Sequence, residues 1–144
     1  DIPVIPTGRG GKTTYHGPGQ RVVYIIKDLR TTHDLRAHIH SLQNWLIATL
    51  AEVGVTAFTT DDVGVWTTTP QGDAKIAAIG VRVRKWVAFH GIALNINPDL
   101  SAYTRIVPCG LAKPVTSLHA LGHTISMNEV DVLLTKNLGL HLVA

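Results

Sequence analysis

The stretch Lys75-Ile-Ala-Ala-Ile-Gly-Val-Arg-Val-Arg84, followed by Trp86-Val-Ala-Phe-His90 and then by Ile92-Ala-Leu-Asn-Ile96, decides how the chain folds. Short runs of β-branched, aromatic and small apolar residues with brief connections read as successive strands of one sheet. Working outward, residues 55–59 and 63–67 read as two further short strands, and Val22-Val-Tyr-Ile-Ile26 as a buried strand. Between them Leu35, Ile39, Leu42, Leu46, Leu50 and Val53 recur at helical spacing up to Gly54, a natural C-terminal stop. Near the end Ser126-Met-Asn-Glu129 is a capping box. It is followed by Val130, Leu133, Leu134 and Leu138 on one helical face and by Gly139 as the stop. Strand, helix, several strands, helix is an α+β order, with an antiparallel or mixed sheet flanked by helices.

Composition bounds the possibilities. A chain of 144 residues, 45% hydrophobic and 16% charged, suits a single domain spanning 1–144 with a core of its own. No repeat, low-complexity segment or linker divides it. Apolar runs fall well short of the roughly 20 residues that span a bilayer, and no basic-plus-apolar signal region opens the chain. The net charge of +3 is modest and its basic residues are scattered, so neither a nucleic-acid nor a membrane partner is expected. The one basic cluster, Arg82-Val-Arg84-Lys85, reads as a solvated face, the alternative being a docking patch for an acidic partner. One cysteine and no Asn-x-Ser/Thr site fit a reducing, cytoplasm-like compartment.

That cysteine is the first candidate for chemistry. Cys109 sits in Arg105-Ile-Val-Pro-Cys-Gly110, where proline before it and glycine after it imply a fixed turn with room for another molecule to approach the sulfur. A free thiol near pKa ~8.5 is mostly protonated at neutral pH and needs a neighbouring cation or base. Lys75, at the mouth of an apolar small-residue strand, is a candidate for that role, since partial burial would depress its ammonium pKa. The bland alternatives are a small hydrophobe filling a gap and a solvated strand end. Gly8-Arg-Gly-Gly-Lys-Thr-Thr14 imitates a phosphate loop, but Pro6 stands where the first glycine is required and Tyr15-His-Gly-Pro-Gly-Gln20 would break the helix that must follow. What remains is a run of backbone amides bearing Arg9, Tyr15 and His16, suited to substrate contact or simply to a structural turn. The other seven histidines are assigned no role.

Several motifs in one order carry a more specific signal. Arg9-Gly-Gly-Lys-Thr-Thr-Tyr-His-Gly-Pro-Gly-Gln20, Gly64-Val-Trp66, Lys75-Ile-Ala-Ala-Ile-Gly80, Phe89-His-Gly-Ile-Ala-Leu-Asn95, Asn97-Pro-Asp-Leu100, Arg105-Ile-Val-Pro-Cys-Gly110 and Val115-Thr-Ser-Leu118 resemble the ordered motifs of the lipoyl(octanoyl) transferase family. The resemblance runs through nearly the whole chain. It implies a catalytic domain like that of the biotin and lipoate ligases. It also implies transfer of an octanoyl group from acyl carrier protein to a lysine of a lipoyl domain, as carried by 2-oxoacid dehydrogenases and the glycine cleavage H protein. Cys109 would be the nucleophile that holds the acyl chain as a thioester, and Lys75 would lower its pKa and then act as general acid or base. Arg9, Gly10, Gly11, Lys12, Thr13, Thr14, Tyr15 and His16 would bind substrate, together with Ala78, Ile79, Gly80, Gly91, Ile92 and Ala93.

The implied chemistry uses neither ATP nor a metal, so no cofactor is expected. Family members carry a further segment ahead of the Arg-Gly-Gly loop, and the expectation is that this chain lacks it. Bacterial cytoplasm is the expected location, a mitochondrial origin being the alternative. Two other functions stay open on sequence: an ATP-dependent lipoate or biotin ligase, against which Pro-Cys-Gly argues, and a non-catalytic acyl- or carrier-binding module.

Overall fold

The computed structural model describes residues 1–106 and 113–142. One sheet runs in the order β1 (Gln20–Tyr24), β6 (Val87–Asn95), β5 (Gly72–Arg84), β4 (Val65–Thr69), β3 (Ala57–Phe58), with the short β2 (Lys27–Asp28) also paired to β6. Every strand pair is antiparallel, and one isolated parallel bridge joins Lys75 to Val115. Two helices, α1 (Leu35–Val53) and α2 (Met127–His141), pack on each other and against the sheet. This is the α+β architecture expected from the sequence.

The helices begin and end where local chemistry dictates. Asp34 accepts a hydrogen bond from the Ala37 amide at the start of α1, and Gly54, at φ 96°, closes it in the left-handed conformation that favours glycine. Ser126 and Glu129 form the capping box of α2 in both directions. The helix does not stop at Gly139 as the sequence suggests, but continues to His141. A helical glycine costs only about 1 kcal/mol relative to alanine, too little to end a helix whose buried Val130 and Leu134 hold it in place.

One face of the sheet is covered by the helices. Leu42, Trp45, Leu46 and Leu50 of α1 and Val130 and Leu134 of α2 meet Val65, Ala77, Ile92 and Leu94 in a single core. The Trp45 indole N–H is satisfied by the Leu134 carbonyl at 2.8 Å, so the polar atom of this large side chain joins the two helices. Three of the α1 leucines are fully buried, each contributing about 1.5–3 kcal/mol.

Three strand expectations need correction. Val22-Val-Tyr-Ile-Ile26 is not a buried strand: β1 starts at Gln20, ends at Tyr24, pairs only with β6, and leaves Val22, Tyr24 and Ile26 exposed. Residues 55–59 yield only the two-residue β3. Residues 86–90 and 92–96 are not two strands but one, β6, passing through His90 at φ 66°. The β5–β6 connection is the two-residue turn Lys85-Trp86, with both residues at positive φ. That is a type I′ turn, a geometry normally reserved for Asn-Gly. Stacking of the Trp86 ring on His33 at 4.3 Å accompanies it.

Candidate active site

The face of the sheet turned away from the helices is built differently. Pairing sets Ala78 opposite Ala93 and Gly80 opposite Gly91, so small residues line its centre. Ile79 and Ile92 alternate to the other side and pack into or against the core. Lys75 belongs to the outer face because of a β-bulge. The β4–β5 register shifts between Val65, opposite Ala77, and Trp66, opposite Lys75. The extra residue lets Ile76 and Ala77 both enter the core while Lys75 points out beside Trp66.

The glycine-rich N-terminal segment crosses this outer face. The Gly10 amide donates to the Val81 carbonyl at 3.0 Å, and the Arg82 side chain passes over Gly8. A Cβ on Gly80 would lie 2.9 Å from Arg9 Cδ and 3.1 Å from the Gly10 carbonyl oxygen, which is why the crossing point carries no side chain. Arg9 and Gly80 are thus brought together, whereas Gly11, Lys12 and Thr13 are exposed. Thr14 and Tyr15 are half-buried, and His16 is exposed at the far end of the crossing. Gly91, Ile92 and Ala93 are buried in β6.

Lys75 occupies a made seat. Its side chain is 23% exposed; Nζ lies 3.4 Å from Asp62 Oδ2 and 5.2 Å from the centre of the Trp66 ring. Gly64, at φ 134°, leaves the space the lysine needs, since a Cβ there would come within 3.0 Å of Lys75 Cε. Trp66 is fixed by its indole N–H donating to the Asp62 carbonyl at 3.2 Å. The Gly64-Val-Trp66 motif is therefore the wall of the lysine site. Lys113 reaches the same carboxylate at 2.9 Å. Burial pushes the Asp62 carboxyl up, but the Lys113 hydrogen bond and the charges of Lys75 and Lys113 outweigh it and hold the pKa below the ordinary carboxylate value. Asp62 was not singled out from sequence, where nothing marks it off from Asp61 beside it.

Cys109 lies outside the described residues. The chain on its C-terminal side is held against the lysine: the Lys75 amide donates to the Pro114 carbonyl at 2.8 Å, and the Thr116 amide donates to the Lys75 carbonyl at 2.9 Å. Beside this, Gln20 and Asn95 form a buried pair, Gln20 Nε2 donating to Asn95 Oδ1 at 2.9 Å and lying 2.5 Å from the Tyr103 hydroxyl oxygen. Burial pushes the Tyr103 phenol up, the hydrogen bonds with Asn95 and Gln20 only partly opposing it. The pair was missed as a unit because its members stand 75 positions apart. Among the described residues, no group of three or more His, Cys, Asp and Glu is placed to hold a metal ion.

The family model described as the lipoyl protein ligase A/B catalytic domain matches residues 1–139. The chain belongs to that family. Among curated relatives of this lipoyl protein ligase A/B catalytic domain, a protein named octanoyltransferase from Zymomonas mobilis is 53% identical over 133 residues, covering 90% of this chain and 62% of its own length. Another octanoyltransferase, from Parvibaculum lavamentivorans, is 56% identical over 142 residues, covering 94% and 63%. The chain therefore spans less than two thirds of the length of these relatives. A solved bi-partite lipoate protein ligase from Thermoplasma acidophilum superposes with a TM-score of 0.77 at 18% identity, over 94% of this chain and 56% of that one. At that identity the likeness speaks to the fold alone, and it agrees with the α+β architecture described above.

Proposed function

We propose that this lipoyl protein ligase A/B catalytic domain transfers an octanoyl group through a Cys109 thioester in lipoate assembly. The observation that carries the reading is the seated amine of Lys75, on a residue whose main-chain N–H and C=O are bonded to Pro114 and Thr116, with Cys109 only five positions before Pro114. The names of relatives above 50% identity supply the acyl group.

In the first half the Cys109 sulfur attacks the octanoyl thioester on acyl carrier protein. A new C–S bond forms, the old one breaks, and the carrier thiol leaves with the proton that Lys75 takes from Cys109. The exchange of one thioester for another is nearly balanced in energy. In the second half the lysine amine of a lipoyl domain attacks; its C–N bond forms, the Cys109 C–S bond breaks, and the proton the amine loses passes through Lys75 to the departing thiolate. Acceptors of this chemistry are the lipoyl domains of 2-oxoacid dehydrogenases and the glycine cleavage H protein. The narrow outer face around Ala78, Gly80, Gly91 and Ala93 suits a medium-length acyl chain. Arg9 to His16 form its other wall. No helix among the described residues is long and apolar enough to cross a membrane. The location that goes with this reading, given relatives from Zymomonas mobilis and Parvibaculum lavamentivorans, is the bacterial cytoplasm.

The test is transfer itself. Octanoyl-carrier protein and a lipoyl domain, mixed with this chain and no ATP, should yield an octanoyl amide on the lipoyl lysine, and Cys109→Ser should abolish it. Transfer that appears only when ATP and free octanoate are supplied would replace the transferase by a ligase; binding of carrier with no transfer would leave a binding module.

A further inference from the structure

His16 Nδ1 stands 3.0 Å from Gln20 Oε1, a contact whose polarity depends on which ring nitrogen carries the proton. Backbone groups decide it. The Thr116 carbonyl can only accept, so the Asn95 atom 3.1 Å away must be the amide nitrogen, which turns Asn95 Oδ1 toward Gln20. Gln20 must then offer Nε2 to Asn95, at 2.9 Å. Two further backbone groups agree: the Tyr15 carbonyl accepts from the same Nε2 at 3.1 Å, and the Gly17 amide donates to Oε1 at 3.4 Å. Gln20 therefore presents oxygen to His16. An acceptor opposite Nδ1 requires Nδ1 to be the donor, which leaves Nε2 of the neutral ring with its lone pair.

We propose that Asn95 and Gln20 are positioning residues that lock His16 in the Nδ1–H form, so that Nε2 accepts a hydrogen bond from the lysine amine that attacks the acyl group. The same Thr116 whose carbonyl starts the relay donates its amide to the Lys75 carbonyl at 2.9 Å, so the two nitrogen bases are registered to one backbone segment. Both amides are buried, and a flip would turn Asn95 Oδ1 onto the Thr116 carbonyl or Gln20 Oε1 onto the Tyr15 carbonyl, oxygen against oxygen. The tautomer rests on hydrogen bonds alone, whereas its use rests on the octanoyl transfer proposed above.

Imidazole nitrogen shifts of His16, read by NMR on the full 15N-labelled chain at a pH where the ring is neutral, test the lock without any substrate. His16→Gln identifies the signals. The expected spectrum shows a protonated Nδ1 and a bare Nε2, and Gln20→Leu moves the proton to Nε2, the form an untethered imidazole prefers. In the transfer assay Gln20→Leu should lower kcat roughly tenfold or more while leaving KM for octanoyl-carrier protein within about twofold. A wild-type ring protonated mainly at Nε2 would overturn the proposal, whether or not Gln20→Leu folds. A folded Gln20→Leu with unchanged kcat would remove the lock from the reaction. Absence of transfer by the wild-type chain would instead sink the octanoyl reading and leave the tautomer to be judged by its own spectrum.

Discussion

The two faces of the sheet obey different rules. Toward the helices, Ile92, Leu94, Ala77 and Val65 meet leucines and a tryptophan, and almost every group is apolar and buried. On the opposite face the same strands carry Ala78, Gly80, Gly91 and Ala93 at the centre and, toward one end, Lys75 over the Trp66 ring and paired with Asp62, and the hydrogen-bonded Gln20 and Asn95. Strand alternation alone would produce two such faces. The bulge at Ile76 is what keeps the lysine on the second one while the chain on either side of it still feeds the core. Stability and chemistry are therefore separable: changes on the helix face should act on folding, and changes on the open face on transfer.

The largest expected effect is on transfer. Lys75→Ala should leave the thermal transition near that of the wild type while lowering the single-turnover rate of acyl transfer about 100-fold or more, the scale of a lost acid–base group. A folded Lys75→Ala with the wild-type rate would break the division of labour. Leu46→Ala, at a fully buried helix position, should show the reverse: a loss of about 2–5 kcal/mol in denaturant unfolding, with the rate per folded molecule retained. Gly80→Val sharpens the comparison, since its side chain would collide with Arg9 and the Gly10 carbonyl. It should displace the N-terminal crossing and weaken octanoyl-carrier binding, visible as a raised KM, at a stability cost smaller than that of Leu46→Ala.

The smallest effect concerns Asp62. Its folded pKa lies below the ordinary value of 3.8, so the stabilisation from its lysine partners is complete above the unfolded carboxylate range and is lost as pH falls through the folded value. Asp62→Asn should therefore lower stability near neutrality and differ little from the wild type at strongly acid pH, which flattens the acid end of the stability curve below about pH 4. Because the carboxylate is partly exposed, the effect is modest and should shrink in high salt.

Much of the frame was legible because its signals are local. The spacing of Leu35 to Val53 with Gly54 behind it, and the Ser126–Glu129 box, are decided within a few turns of chain. The open face was legible as motifs but not as geometry. Gly64 and Trp66 stand out in the sequence, yet their purpose is visible only once β4 lies beside Lys75. The Gln20–Asn95 pair and Asp62 were not readable, since each gains its meaning from partners brought in by the fold. The Lys85–Trp86 turn was hidden for a different reason: β5–β6 pairing and the His33 stack hold a backbone that neither residue favours by itself.

The intermediate itself is the most direct measurement. The chain is mixed with octanoyl-carrier protein alone, quenched in acid and weighed intact. A gain of one octanoyl group, removed by hydroxylamine, absent in Cys109→Ala and chased off by a lipoyl domain, is the expected result. A wild-type chain that transfers octanoate to the lipoyl lysine yet never carries it, or carries it undiminished in Cys109→Ala, would contradict the assignment of Cys109 and Lys75 to the open face's chemistry.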